Sequence, residues 1–352
     1  MISHMTSSTP SVPASLLVAC RDMDELLAVL EGLEGQLTAT LQLQDDDADD
    51  LAAAFRSPTA TGPEAKTTHH DLVTVHDRRT EARLVAALTT AVPGSGVLGE
   101  ELGAQAGTGE AARLTWIVDP IDGTKNFVRG VPVWATLIAL LIDGEPVVGV
   151  VSAPALHRRW WAAAGQGAFA GTSLTRAQRI TVSGVDRVED ASLSFSSIEG
   201  WRERGSIRAF LQLTSDVWRV RGFGDFWSYM LVAEGAVDIA AEPELELHDM
   251  AALVPIVREA GGRFTSLDGE DGPFGGHALA TNGLLHDDVL ARQRFDGRFE
   301  QPLQVGIVDG ALGDVHDRTV AVEFVPPRGR PEPGRRQRLD RTDVTYVGRQ
   351  IA

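Results

Sequence analysis

The chain has 352 residues, 43% hydrophobic and 23% charged, which is typical of globular proteins and excludes disorder throughout. Its formal net charge of −17 at pH 7 opposes binding to nucleic acids and to anionic membranes. The single cysteine, Cys20, rules out an intrachain disulfide and a cysteine-based zinc site. A phosphorylated substrate remains compatible with this charge if metal cations neutralise a local group of carboxylates.

The sequence carries no feature of export or membrane insertion. Its first residues are polar and lack the charged segment and apolar core of a secretory signal. The longest apolar runs, at about 135–142 and 147–151, are too short to span a bilayer. We therefore expect a cytoplasmic protein.

The N-terminal part of the chain predicts helices. In 22–56, leucines recur at helical spacing, and an acidic run precedes a second helical pattern. The segment 71–92 predicts a short strand followed by a helix that ends before Pro93 and Gly94.

The middle of the chain predicts strands, and its later part returns to helices. Apolar runs at 134–142, 146–152 and 159–163, separated by turns, predict an antiparallel meander. Helical periodicity follows at 228–234 and at 250–260. The second of these helices ends at a Gly-Gly pair, before a strand-like Arg-Phe-Thr.

The segment WIVDPIDGTKNF, at 116–127, places two carboxylates just after an apolar run. Residues 116–118 predict a buried strand, and the Asp122-Gly123 pair predicts a turn that Thr124 follows as the cap of a helix. Such a turn directs Asp119, Asp122 and several backbone N–H groups at one point. A single Asp-Gly pair is more often a solvated turn, so other parts of the chain must support a functional site.

Two further acidic clusters accompany this segment. Glu100 and Glu101 follow Gly99 at the end of an apolar run, and Asp249 follows His248 at the start of a predicted helix. Mg²⁺ prefers oxygen ligands, so a site for two or three ions needs carboxylates from separate loops. Each cluster alone is far more typical of a surface or helix-capping role.

The spacing of the carboxylates excludes two other kinds of site. An EF-hand loop that begins at Asp119 would need oxygen ligands where Ile121, Gly123 and Gly130 stand. Phosphatases with an aspartyl nucleophile carry D-x-D-G-T, whereas this chain has D-x-x-D-G-T. The spacing therefore favours a metal-activated water over a phospho-aspartyl intermediate.

The ordered combination of these motifs resembles the inositol monophosphatase family of metal-dependent phosphomonoesterases. The likeness runs from about residue 65 to about residue 290, and it includes the AALVPIVREAGG that follows Asp249. Within the family, segments such as VWRVRGFGDFWSYMLVAEGAVDIAAEP are most similar to bacterial histidinol-phosphate phosphatases. The resemblance implies an α+β fold, a layered α-β-α-β-α sandwich, and a homodimer.

The resemblance also implies a set of metal ligands for two or three Mg²⁺ ions. Glu100, Asp119 and the backbone carbonyl of Ile121 would bind a first ion. Asp119, Asp122 and Asp249 would bind a second, and a third, weaker ion would lie near Glu100.

Catalytic residues follow from the same resemblance. Thr124 and Asp77 match the pair that orients the attacking water, Lys66 matches a lysine near the same site, and Glu100 belongs to this group as well. The backbone N–H groups of Gly123 and Thr124 would hold phosphate oxygens. No covalent intermediate is then needed.

Two acidic residues are candidates for substrate contacts. Asp225 could pair with a substrate ammonium group, and Glu242 could bind a hydroxyl or an imidazole N–H. Histidinol phosphate carries both an amine and an imidazole, so acidic contacts suit it better than an uncharged inositol ring. An ordinary surface or capping role is nearly as common for such residues.

The expected function is Mg²⁺-dependent hydrolysis of L-histidinol phosphate, a small phosphorylated metabolite. Two alternatives are the same chemistry on an inositol, sugar or nucleotide-derived phosphate, and a non-catalytic binding protein. The expected domain organisation is a flexible N-terminus at 1–20, one phosphatase unit at 21–293 whose halves divide near residue 182, and a flexible extension at 294–352.

Overall fold

The computed structural model describes residues 55, 64–65, 72–73, 75–172 and 176–293. The helices predicted within 22–56, the N-terminal segment, Lys66 and the C-terminal extension lie outside these ranges, apart from Phe55. Among the described residues, no helix is both long and apolar enough to cross a membrane.

An eight-stranded sheet forms the first β layer. A short antiparallel pair, β1 (Glu64–Ala65) and β2 (Leu72–Val73), precedes it along the chain. The strands of the large sheet are β3 (Gly96–Gly99), β4 (Gly103–Gln105), β5 (Leu114–Asp122), β6 (Ala135–Ile142), β7 (Glu145–Ala153), β8 (Arg158–Ala163), β9 (Gly167–Gly171) and β10 (Ala177–Ile180). Their order across the sheet is β10-β9-β8-β7-β6-β5-β3-β4.

The predicted antiparallel meander is present as β6, β7 and β8. A two-residue turn joins β6 to β7, and both of its residues, Asp143 and Gly144, have positive φ, at 52° and 89°. This Asp-Gly turn matches the right-handed twist of the flanking strands, which explains why the sequence signals it so clearly.

A five-stranded mixed sheet forms the second β layer. Its strands are β11 (Ser192–Ser194), β12 (Arg219–Arg221), β13 (Ile239–Glu242), β14 (Arg263–Thr265) and β15 (Ala278–Thr281). Their order across the sheet is β12-β11-β13-β15-β14. The helices are α1 (Val75–Ala91), α2 (Thr124–Arg129), α3 (Ile198–Glu203), α4 (Ile207–Asp216), α5 (Asp225–Ala233), α6 (Leu247–Met250), α7 (Leu253–Glu259) and α8 (His286–Gln293).

Hydrophobic packing arranges these elements in five layers. α1 covers the outer face of the large sheet, where Leu84 and Leu88 pack with Trp116. α5 and α7 lie between the two sheets and share one core with both. α3, α4 and α8 cover the other face of the small sheet, where Trp201 stacks on Phe210. The α+β layered sandwich predicted from the sequence is confirmed.

Candidate active site

Two neighbouring parallel strands bring the first acidic clusters together. β3 and β5 run parallel, with Gly99 paired to Val118. Because the two strands run in the same direction, the residues that follow this pair, Glu100 and Asp119, lie side by side. The backbone N–H of Glu100 donates to the carbonyl of Val118 at 3.2 Å, which fixes the start of the acidic turn against β5.

The structure differs from the predicted turn after residue 118. β5 continues to Asp122, and its pairing with β6 is irregular between Asp119 and Asp122. Pro120 lacks an N–H for the ladder, and its carbonyl accepts instead from the Thr136 hydroxyl at 2.8 Å. Residues three apart in a regular strand face opposite sides, so this irregularity allows both carboxylates to face one site.

Helix termini hold the other carboxylates in place. The backbone N–H of Phe226, at the start of α5, donates to Asp122 Oδ2 at 2.8 Å. Asp249 lies in α6, where its Oδ2 accepts from the backbone N–H of Glu246 at 2.7 Å in a capping box. The predicted position of Asp249 in the first turn of a helix is therefore observed.

Three carboxylates converge into one cluster. Oxygens of Asp119, Asp122 and Asp249 all lie within 4.8 Å of one another. Burial is the main cause that raises the pKa of Asp119 well above its usual range, and Glu100, Asp122 and Asp249 add to this by repulsion. Burial likewise raises the pKa of Asp122 and that of Asp249.

The donor set fits a hard divalent cation. The groups that converge among the described residues are carboxylates, and a cation at their centre would offset both the desolvation of these carboxylates and their repulsion. The carbonyl of Ile121 accepts from the Thr124 hydroxyl at 3.0 Å and has a second lone pair to offer.

Thr124 lies at the start of α2 but does not cap it. The N-cap is Gly123, and no side-chain capping bond is present. The Thr124 hydroxyl points instead towards Ile121 O, and it lies 3.5 Å from Asp77 Oδ1. This second distance is long for a hydrogen bond, so Thr124 and Asp77 are neighbours rather than a tightly bonded pair.

Gly123 occupies a position that only glycine fits without strain. Its φ is 82°, and a Cβ built there would lie 2.9 Å from the carbonyl of Val133. The backbone of the motif can therefore form a tight turn immediately before α2.

Asp225 makes a contact that the sequence did not indicate. Its Oδ2 accepts from Asn126 Nδ2 at 2.6 Å, which joins the end of the motif to the start of α5. Its φ of 50° is left-handed. Burial, followed by repulsion from Asp249, raises the pKa of Asp225 to about 6, and Lys125 opposes this shift. Asp225 thus has a structural role in addition to the substrate contact proposed for it.

Glu242 lies at the end of β13 and is 2% exposed. Burial raises its pKa to about 8, and a hydrogen bond with Ser196 opposes this. The Tyr229 hydroxyl interacts with this carboxyl, but neither the hydroxyl nor Glu242 Oε1 has a partner with full hydrogen-bond geometry among the described residues. Their unused hydrogen-bonding capacity suits a polar ligand.

Sequence reasoning missed Glu81. This buried carboxylate on α1 accepts backbone hydrogen bonds from the acidic turn that contains Glu100. The available signal was its position four residues after Asp77, which places both acids on one face of a helix. Asn126, within the quoted motif, was also missed.

Comparison with known proteins identifies the family of this chain. A model of the inositol monophosphatase family matches residues 34–298. The histidinol-phosphatase of Mycobacterium tuberculosis is 62% identical over 220 residues, which cover 62% of this chain and 84% of that protein. The histidinol-phosphatase of Streptomyces coelicolor is 57% identical over 218 residues, which cover 61% of this chain and 80% of that protein.

Solved structures show the same fold. The IMPase of Thermotoga maritima matches with a TM-score of 0.62 and 28% identity, over 77% of this chain and 97% of that one. The extragenic suppressor protein SuhB of Bartonella henselae matches with a TM-score of 0.65 and 26% identity, over 77% of this chain and 100% of that one. The chain therefore belongs to the inositol monophosphatase family.

Proposed function

We propose that this protein is a metal-dependent phosphomonoesterase that hydrolyses L-histidinol phosphate to L-histidinol and phosphate in histidine biosynthesis. The convergence of the Asp119, Asp122 and Asp249 carboxylates supports the chemistry. The substrate is supported by two relatives named histidinol-phosphatase, which are 62% and 57% identical to this chain.

Two or three Mg²⁺ ions complete the proposed site. Glu100, Asp119 and the Ile121 carbonyl would hold one ion, and Asp119, Asp122 and Asp249 would hold another. When bound, such ions lower the pKa of a coordinated water and neutralise the charge that develops on phosphate and leaving oxygens.

The side chains of this protein orient the reactants. In the proposed reaction water attacks phosphorus directly, the bond between phosphorus and the ester oxygen breaks, and histidinol leaves with a proton on that oxygen. Thr124 and Asp77 would accept hydrogen bonds from the attacking water or pass its proton onward. The backbone N–H groups of Gly123 and Thr124 would hold phosphate oxygens. Lys66, outside the described residues, keeps its predicted role near this site.

Acidic groups beside the cluster would select the alcohol part of the substrate. Glu242 is buried and Asp225 is half-buried, and both carboxyls are close enough to the cluster for Asp249 to raise their pKa. A substrate with an ammonium group and an imidazole would supply positive charge and N–H donors to them. An uncharged ring would leave these two carboxyls with fewer partners.

Phosphate release by the purified protein tests the proposal. L-histidinol phosphate, inositol 1-phosphate and a nucleotide monophosphate should be compared, each with Mg²⁺ and with a chelator, using Asp119→Asn as the inactive control. We expect Mg²⁺-dependent turnover of histidinol phosphate well above the others. Preference for another ester would overturn the substrate, whereas no release from any ester despite bound metal would favour a binding protein.

Three further expectations remain predictions. A homodimer and a cytoplasmic location follow from the family resemblance and the sequence analysis. The net charge of −17 supports the expectation that neither nucleic acid nor a membrane is a partner.

A further inference from the structure

The acidic turn that carries Glu100 is held in place by a buried carboxylate of α1. Glu81 is fully buried on α1. Its Oε2 accepts from the backbone N–H of Glu101 at 2.7 Å, and its Oε1 accepts from the backbone N–H of Leu102 at 2.8 Å. A carboxylate with two N–H donors from consecutive residues fixes both the position and the tilt of that backbone.

The strand before the turn is shaped around this carboxylate. A Cβ built on Gly99 would overlap Oε1 and Cδ of Glu81. The backbone N–H of Glu100, on the other side, is bonded to Val118 O at 3.2 Å. The backbone of Glu100 is therefore held by β5 at its N–H and by α1 just after it, and these contacts limit where its side chain can reach.

The same helix sets the position of Asp77. Asp77 and Glu81 are one helical turn apart, and both are fully buried. Asp77 faces Thr124 across 3.5 Å, while Glu81 holds the acidic turn. One face of α1 thus aligns the acidic turn with the start of α2.

We propose that Glu81 is a positioning residue that sets the affinity of the site for Mg²⁺ by holding the two backbone N–H groups that follow Glu100, those of Glu101 and Leu102. The inference rests on the proposed metal-dependent function. Partners behind metal ligands typically change metal affinity or activity by about 10- to 100-fold when they are removed.

Glu81→Gln tests this pair of hydrogen bonds from Glu101 and Leu102, which we call the clamp, because the substitution keeps the size of the side chain. A glutamine can accept from only one of the two N–H groups, and its amide nitrogen would face the other donor. We expect the Mg²⁺ concentration that gives half-maximal activity to rise about 10- to 100-fold. At saturating Mg²⁺, we expect KM for the ester to stay near that of the wild type and kcat to recover most of its value.

Glu259→Gln is the matched control. Glu259 also accepts from two turn N–H groups, those of Gly165 at 2.8 Å and Gly167 at 2.6 Å, but that turn carries none of the clustered carboxylates. Both variants should unfold at a lower temperature in chelator. Only Glu81→Gln should shift the Mg²⁺ requirement.

The decisive measurement is the Mg²⁺-induced rise in the thermal unfolding midpoint of the full chain, titrated without substrate. A half-saturating concentration for Glu81→Gln within about twofold of those of the wild type and Glu259→Gln would overturn the clamp. If Glu81→Gln does not fold, Gly99→Ala tests the same contact by displacing the intact carboxylate, and it should raise the Mg²⁺ requirement too. A wild-type protein that shows no Mg²⁺ response would instead refute the metal site itself, and turnover of a different ester would leave this test unaffected.

Discussion

Asp119 shows how a single residue can contribute to the proposed metal site and lower the stability of the metal-free protein. It is 1% exposed and lies against three other carboxylates. We expect Asp119→Asn to stabilise the chelator-treated protein by about 1–2 kcal/mol at pH 7.5, because a neutral amide removes a buried charge and its Oδ1 still accepts from Ile121 N.

Urea unfolding in chelator measures this gain. The same variant should lose Mg²⁺-dependent turnover by at least about 10²-fold, since an electrostatic contact at the reacting centre is missing. Equal or lower stability of Asp119→Asn in chelator would contradict the idea that repulsion strains the empty cluster.

His286 should make the protein sensitive to acid. The ring is fully buried between the hydroxyls of Thr265 and Thr281, and burial, aided by Arg263, lowers its pKa from 6.5 to about 4. Between these pH values, His286 is therefore protonated in the unfolded chain but not in the folded protein. Stability is retained above pH 6.5 and falls as the pH drops towards 4, by up to about 1.4 kcal/mol per pH unit from this group.

Urea unfolding at pH 7, 6 and 5 checks this dependence for the wild type and His286→Gln. The variant should show the shallower decline, whatever its stability at pH 7. His157→Gln, at an exposed position, should keep the wild-type slope. Parallel curves for His286→Gln and the wild type would refute the assignment.

Most of the proposed ligands could be predicted because they stand in short motifs that resemble those of the inositol monophosphatase family. The resemblance implies Asp119, Asp122 and Asp249 as ligands, and the structure brings them together. The spacing of Glu81 four residues after Asp77 is a weak signal, because a buried acid in a helix looks like many others, and the same holds for Asn126 as an amide after a turn. Only the pairing of distant elements shows what they contact.

At the scale of elements, the turn before α2 depends on Gly123. An alanine there would adopt a left-handed conformation and would also approach Val133 O at 2.9 Å. We expect Gly123→Ala to cost about 2–4 kcal/mol in unfolding free energy, the sum of backbone strain and a close contact, and to reduce turnover.

Gly144→Ala separates these two causes. Gly144 has a similar φ of 89°, but a Cβ there would have nothing within 4 Å. It should cost only the strain, about 1–2 kcal/mol, and leave turnover unchanged. Equal losses of stability in urea unfolding would show that the contact with Val133 contributes nothing.

Regular elements were predicted more fully than irregular ones. The meander β6–β8 and the helix α1 follow from alternation and helical periodicity, which tertiary packing reinforces. The sequence predicts a turn at the irregular end of β5, since a proline and an Asp-Gly pair usually end a strand. Pairing with β6 continues the strand past them, and nothing local in the sequence signals this.

At the scale of the whole molecule, the proposed cation would stabilise the fold by mass action. Binding to the folded protein alone adds RT ln(1 + [L]/Kd), which is about 2.7 kcal/mol at a hundredfold excess over Kd. We expect Mg²⁺ to raise the thermal unfolding midpoint in proportion to the logarithm of its concentration. Calorimetric scans of the wild type and Asp119→Asn would test this, and an equal rise in both would place the effect elsewhere.

The layered core explains why the general architecture was predictable and the site geometry was not. α5 and α7 share one hydrophobic core with both sheets, and their apolar residues specify this burial directly. The position of each carboxylate depends on a few backbone hydrogen bonds, such as that from Phe226 to Asp122. The sequence does not encode these bonds in any local pattern.

The hydrogen bond between Asp122 and α5 and the position of Asp249 on α6 also affect the rates of folding and unfolding. Asp119 and Asp249 stand 130 positions apart in the chain, so we expect their oxygens to meet only after the middle helices have packed against the large sheet. A cation that needs all of them finds its full set of ligands late in folding. Mg²⁺ should therefore slow unfolding and leave the refolding rate nearly unchanged, so that metal prolongs the life of the native protein without hastening its formation.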